Sequence, residues 1–304
     1  MKVLLTGITG YIGSRLASRL AREGHELRGL SRHPQRAPAG AEMIGGDAVT
    51  GAGLDRALHG VQVAYFLIHS MEPSQDGAFD VRERKAAENF TRAAQAAGLE
   101  RIIYLGGPAP SHGVASPHLA SRLAVEQILH DAAPCAIALR ASIVIGAGSR
   151  SFRFLVHLVE RMPALAVPAW GINRSSPIDE RDVIELLARA ATSNAVCGCS
   201  LDARGRDIVS YGELIDRIRY HMFVERPTIN FRRLRLTPIA SRIAAIIAGE
   251  DHELIGTLML SLDEELLPRD NRAAELLGVR LHSLDAAIEH SLREWESHEQ
   301  LTAR

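Results

Sequence analysis

Residues 1–22 read MKVLLTGITGYIGSRLASRLAR, and the order of elements in this stretch decides the fold. Val3-Leu4-Leu5 is a short apolar strand that breaks at Thr6-Gly7. From Tyr11 to Arg22 the period changes, placing Ile12, Leu16, Leu20 and Ala21 on one helical face. Between strand and helix, Gly7, Gly10 and Gly13 recur three residues apart. The first permits a tight turn, the second lets backbone approach a pyrophosphate, and the third lets helix and strand pack closely. The helix N-terminus then offers free N–H groups and a positive dipole to the phosphates. A glycine triplet alone is a weak signal, but on this strand–turn–helix it specifies a dinucleotide site. Gly7, Thr9, Gly10, Tyr11, Ile12 and Gly13 are therefore its first candidate residues.

The end of the second strand, Glu26–Leu30, discriminates between dinucleotides. A ribose-binding carboxylate is expected about 20 residues beyond the glycines, yet the chain supplies Ser31-Arg32, with Arg36 nearby. A guanidinium fork suits a 2′-phosphate that a carboxylate would repel. The expected cofactor is NADP(H), with Ser31, Arg32 and Arg36 at its adenosine end. The alternative for Arg32 is a solvated loop charge. After the third strand, Met43-Ile44, Asp47 follows Gly46 and can accept from the adenine amino group or stabilise a turn.

Further along, strand-like and helical patterns alternate. Val61–Ile68 (VQVAYFLI) is a nearly all-apolar fourth strand, as a strand covered on both faces should be. Ala78–Ala97 is a helix ended by Gly98, and Arg101–Leu105 a fifth strand. Pro117–His130 is a helix with Ser116 as N-cap and Pro117 at N1. Ala136–Ile145 returns to β. Strands separated by helices pair in parallel through right-handed crossovers, which gives an α/β fold with a doubly wound Rossmann sheet. Residues 1–145 are expected to form this domain, with a return segment at about 177–203. Residues 146–176 and 204–304 form a smaller, mostly helical substrate or partner lobe. Phe152–Met162 and, within the return segment, Asp182–Ala191 read as amphipathic helices, Gly198–Leu201 as a late strand, and Ile239–Ile247 as a lobe helix covering a pocket, the alternative being contact with a membrane surface.

Composition excludes several classes of function. With 304 residues, 46% hydrophobic and 23% charged, the chain can bury a sizeable core. A net charge of −1 favours neither nucleic acid nor an anionic membrane, and Arg232, Arg233 and Arg235 read as a solvated strand or loop. Cys135, Cys197 and Cys199 read as separate thiols in a reducing compartment, the last two alternating along a strand, and no metal site is expected. Met1 leads directly into the first strand and no run of 18 apolar residues occurs, so the expected location is cytoplasmic with no transmembrane segment.

Together TGITGYIG, Gly46-Asp47, FLIHSM at 66–71, LRASIVIGAG at 139–148 and PIDERDV at 177–183 span nearly the whole chain. With them it resembles the extended and atypical short-chain dehydrogenase/reductase superfamily, most of all the NmrA-like branch of NAD(P)H-binding proteins related to the complex I assembly-type subunit. The resemblance implies a Ser after strand five and a Tyr-x-x-x-Lys on the next helix. Here strand five runs into Gly106-Gly107, and His118 and Arg122 stand where Tyr and Lys would. The four-residue spacing survives, so both side chains share a helical face. Arg122 is expected to bind ribose hydroxyls. His118 is either a proton donor, hindered as an imidazolium by the helix dipole, or a structural contact. Tyr104, within a strand, reads as core or pocket wall and not as an acid. Ile68, His69, Ser70, Gly106 and Ser142 complete the expected cofactor set. Two functions remain open. One is an atypical NADPH-dependent oxidoreductase delivering hydride to a conjugated, quinone-like or carbonyl small molecule. The other is a non-catalytic NADP(H) sensor or assembly factor acting on a protein partner.

Overall fold

The computed structural model describes residues 1–36, 38, 40–68, 79–110, 116–162, 165–167, 169–225, 228–230 and 262–299. The first half alternates as the periodicities require: β1 (Lys2–Thr6), α1 (Tyr11–Arg22), β2 (Glu26–Ser31), β3 (Glu42–Gly45), α2 (Leu54–Leu58), β4 (Val63–Phe66), α3 (Phe79–Ala96), β5 (Arg101–Gly106), α4 (Pro117–Leu129) and β6 (Cys135–Ala141). There follow β7 (Val144–Ile145), α5 (Arg150–Arg161), β8 (Leu165–Val167), β9 (Arg174–Ser175), β10 (Ile178–Asp179), α6 (Glu180–Ala190) and β11 (Ser200–Ala203). The rest comprises β12 (Val209–Ser210), α7 (Tyr211–His221), β13 (Thr228–Asn230), α8 (Arg272–Leu276) and α9 (Leu284–Glu296).

Seven strands form one parallel sheet in the order β3-β2-β1-β4-β5-β6-β11. The winding reverses between β1 and β4, and a crevice at the carboxyl ends of such strands is where ligands bind. Alternation along β1 sorts the core. Val3 and Leu5 face α1 and α6 with Leu16, Leu20, Val183 and Leu187, while Leu4 faces α2, α3 and α4 with Leu58, Phe90 and Val125. A third core unites α5, α7 and α9 around Phe152, Leu214, Ile288 and Trp295.

Several boundaries differ from the sequence reading. The fourth strand is shorter than Val61–Ile68, because Leu67 N makes a last bond to Thr6 O (3.3 Å) before the chain turns out of the ladder. The expected strand 136–145 is two pieces. Ser142 Oγ donates to Ser176 O (2.7 Å), which draws the chain off β6, and β7 pairs instead with β10. Cys197 and Cys199 lie in a turn at Gly198 (φ +71°), and the late strand starts after them. Cys135 and Cys197, 62 residues apart in sequence, come side by side with Cα atoms 4.9 Å apart, while Cys199 stands apart from them. Ile239–Ile247 and the Arg232–Arg235 cluster lie outside the described residues. Among those described, no helix is long and apolar enough to cross a membrane.

Helix α1 can approach β1 only because Gly13 lacks a side chain: a Cβ there would stand 2.1 Å from Gly7 O. Backbone cannot give way as a side-chain tip can. Gly13→Ala is expected to destabilise the chain by about 2–3 kcal/mol, read from urea unfolding followed by circular dichroism.

Candidate active site

The glycine turn forms one end of the site. Gly7 has φ +77°, and Gly10 N donates to Gly7 O (2.9 Å), closing the turn. The three glycines are not equivalent. A Cβ on Gly7 would meet Leu67 O at 2.9 Å, and one on Gly13 would collide with Gly7. At Gly10 the nearest atom is Gly7 O at 3.1 Å, so protein packing leaves nearly enough room for a side chain that the sequence omits. The omission keeps the cleft open. Gly10 is also the N-cap of α1, with no side chain closing the first turn and no acidic residue in it. Its N–H groups and dipole are left for an anion, the arrangement a pyrophosphate requires.

At the adenosine end, β2 delivers Ser31 and Arg32 to the cleft wall. Ser31 Oγ accepts from His33 N (3.0 Å), so it shapes the bend that follows the strand. Arg32 is exposed and makes no side-chain hydrogen bond or ion pair among the described residues, so its guanidinium is available to a ligand. Arg36 ends a 3₁₀ turn, Pro34–Arg36. Asp47 Oδ1 accepts from Val49 N (2.8 Å), so the turn-stabilising role is real, and the residue still lines the cleft.

The opposite end is built where β5 and β6 meet α4. Ser116 caps α4, accepting from Leu119 N (3.4 Å), which places His118 in its first turn. His118 is half-buried, lines the cleft, and lies 5.6 Å from the Phe79 ring, centroid to centroid. Arg122 is one helical turn further on and buried. Its guanidinium donates to Leu105 O, pairs with Glu83 Oε1 (3.5 Å), and covers the Tyr104 ring at 4.9 Å. Glu83, 2% exposed, also accepts from Ser121 Oγ (3.0 Å). The sequence reading missed Glu83, because α3 and α4 meet only in the folded chain. The Tyr104 hydroxyl donates to Arg122 O (3.2 Å), burial pushes its pKa up, and its ring is buried in the core behind the cleft, so it is neither acid nor cleft wall. Ile68, Gly106 and Ser142 line the cleft, while His69 and Ser70 lie outside the described residues.

The glycine turn, Ser31, Arg32, Asp47, Ile68, Gly106, His118, Arg122 and Ser142 border one cleft of about 1070 Å³. Arg82 and Lys85 of α3 line it too, although the sequence reading did not single them out. Beyond His118 the wall becomes apolar: Ile143, Phe154, Leu155, Leu262 and Leu266, with Ser149 and Arg150 at the start of α5. Such a cavity, largely apolar with few convergent polar groups, is the usual form of a small-molecule site.

Residues 7–142 match a family model described as NAD(P)H-binding. Ceramide reductase of Caulobacter vibrioides is 30% identical over 169 residues, covering 54% of this chain and 53% of that protein. The 2-alkyl-3-oxoalkanoate reductase of Stenotrophomonas maltophilia is 24% identical over 187 residues, covering 53% and 56%. The chain thus spans about half the length of these curated relatives. A short-chain dehydrogenase/reductase superfamily protein from Agrobacterium tumefaciens, solved with bound NAD, superposes with a TM-score of 0.69 over 99% of both chains at 16% identity. That likeness establishes the fold.

The spare room at Gly10 makes a clean test. Gly10→Val is expected to keep a native circular dichroism spectrum while lowering NADPH and NADH affinity at least about a hundredfold by calorimetry, since the added side chain stands where the pyrophosphate approaches.

Proposed function

We propose that this chain, whose residues 7–142 form an NAD(P)H-binding domain within the fold of the short-chain dehydrogenase/reductase superfamily, is an NADPH-dependent reductase of apolar carbonyl or conjugated, quinone-like compounds. One observation carries the reading. A single cleft runs from the glycine turn, past His118, to the apolar wall of the second lobe. Two curated relatives are reductases named for a ceramide and a 2-alkyl-3-oxoalkanoate, compounds that carry alkyl chains, and such chains suit this wall.

Each part of the cleft has a task in that reaction. The α1 N-terminus holds the pyrophosphate, and Arg32 holds the 2′-phosphate by a charge-assisted fork. Gly106, Ile68 and Ser142 line the part of the cleft assigned to the nicotinamide ribose and ring. Arg122 is committed to Glu83 and the β5 end, so its part is to fix the cleft floor and the helix that carries His118. When bound, NADPH supplies the hydride, and a ketone oxygen then needs one proton. His118 sits at N2 of α4, where the helix dipole disfavours the imidazolium, so a neutral imidazole donates a hydrogen bond to the ketone oxygen, and the N–H proton it passes to the alkoxide is replaced from solvent once product leaves. A quinone-like acceptor needs far less help, because conjugation already spreads the developing charge. Phe154, Leu155, Leu262 and Leu266 exclude water from the reacting groups.

Two measurements test this reading. Arg32→Ala is expected to weaken NADPH about ten- to a hundredfold and leave NADH nearly unchanged, as loss of one charge-assisted contact predicts. Equal NADPH and NADH affinities in the parent protein would remove Arg32 from this role. His118→Phe is expected to lower kcat for ketones by about 10²–10⁴-fold, with unaltered NADPH affinity, and to change quinone turnover by less than about tenfold. Parent-like ketone reduction by His118→Phe would end the assignment of His118 as donor.

A further inference from the structure

Outside the cleft, three chemistry-bearing side chains meet where α9 crosses the starts of α1 and α6. One carboxylate oxygen of Glu180, one of Glu294 and a ring nitrogen of His290 all lie within 4.8 Å of one another. His290 and Glu294 are four residues apart on α9 and so share a face, while Glu180 opens α6. We propose that Glu180, His290 and Glu294 form a site for a divalent transition cation, with Tyr11 beside it, pinning α9 to the glycine turn.

The hydrogen bonding around these groups is incomplete in a specific way. Arg15 Nε donates to Glu180 Oε1 (3.0 Å), and the same guanidinium pairs with Glu294 Oε1. The second oxygens, Glu180 Oε2 and Glu294 Oε2, are buried without a hydrogen-bond partner, and so is Tyr11 Oη. Glu180 is only 4% exposed, so bulk solvent does not reach it. Two of these atoms converge: a Cβ built on Gly146 would lie 1.9 Å from Tyr11 Oη and 2.3 Å from Glu180 Oε2. Buried oxygens without a protein partner are costly, more so when charged, and favour a group that satisfies several at once.

Charge points the same way. One guanidinium, which also covers the Tyr11 ring at 4.4 Å, faces two carboxylates. Burial and the nearby Glu294 push the Glu180 carboxyl up to about 8, the direction expected of a buried carboxyl beside a second one. The other groups acting on His290 are Arg181, Asp179 and His282, and burial with Arg181 pushes its pKa down. Arg181 is itself paired with Asp179, and His282 with Asp182. A carboxylate–imidazole donor set suits Zn²⁺ or Mn²⁺ better than Mg²⁺. Tetrahedral ligands at about 2.1 Å stand about 3.4 Å apart, so the half-buried Glu294 and His290 must close slightly onto Glu180. Arg15, bound to the Oε1 oxygens, would orient both carboxylates as outer-shell partners of metal ligands do.

The test is calorimetric titration of Zn²⁺ into the chelator-treated full chain near neutral pH. We expect one equivalent to bind with micromolar affinity and to raise the melting temperature. Because Glu180→Gln risks misfolding, the variants are the half-buried His290→Ala and Glu294→Gln. Each should fold as judged by circular dichroism and lose at least about tenfold in Zn²⁺ affinity, the effect of removing one ligand. A flat titration of the parent would overturn the site and leave a proton shared by the two carboxylates. Unchanged Zn²⁺ binding in both variants would overturn it equally, by placing the metal elsewhere.

Discussion

The close contact of α1 with β1 is the constraint on which the rest depends. With Gly13 against Gly7, the axis of α1 points its bare N-terminus at the crevice between β1 and β4. Were the helix held further out, the crevice would lose the N–H groups that suit it to an anion. The same approach brings Leu16 and Leu20 onto the sheet, so one contact supplies both core packing and the shape of the crevice. Gly10 belongs to a different category, because its missing side chain serves the cleft and scarcely affects the packing.

The second lobe is joined to this frame at the segment around Ser176 and Pro177. Gly205 N donates to Ser176 O (3.3 Å), Ser176 Oγ donates to Gly205 O (3.1 Å), and a Cβ on Gly205 would lie 1.7 Å from Pro177 O. Two chain segments therefore cross with almost no tolerance. That crossing fixes β10 beside β7 and the start of α6 beside α1, where Arg15 and Glu180 meet. Phe154 and Leu155 of α5 are thereby held over the cleft by a rigid junction, which an enzyme needs if the acceptor is to face the cofactor in one orientation.

His118 and Arg122 share one face of α4, a turn apart, in different surroundings. A buried guanidinium must be paired, and Arg122 has Glu83, the Leu105 carbonyl and the Tyr104 ring. An arginine so engaged differs from a lysine reaching into solvent-filled space. Its cost of burial is met by the protein, and its loss would leave Glu83 a buried unpaired charge. The cleft floor is consequently stiff, and His118, one turn earlier on α4, inherits that stiffness.

Local signals determined a great deal. The glycine spacing, the bounds of α1, the Ser116 cap with Pro117 behind it, and the alternation of strands and helices were all legible, because each is written in residues close together in the chain. Arg32 was legible for the same reason, as a charge at the end of a recognisable strand. Tertiary structure alone decided what depends on contacts between distant segments: the Glu83–Arg122 pair, the break of β6 at Ser142 by the Ser176 carbonyl, and the approach of Cys135 to Cys197. It also gathered Tyr11, Glu180, His290 and Glu294, which no motif connects. Periodicity reports which face of an element is apolar. It does not report which other element will cover that face, and in this chain the buried charges lie in those covering contacts.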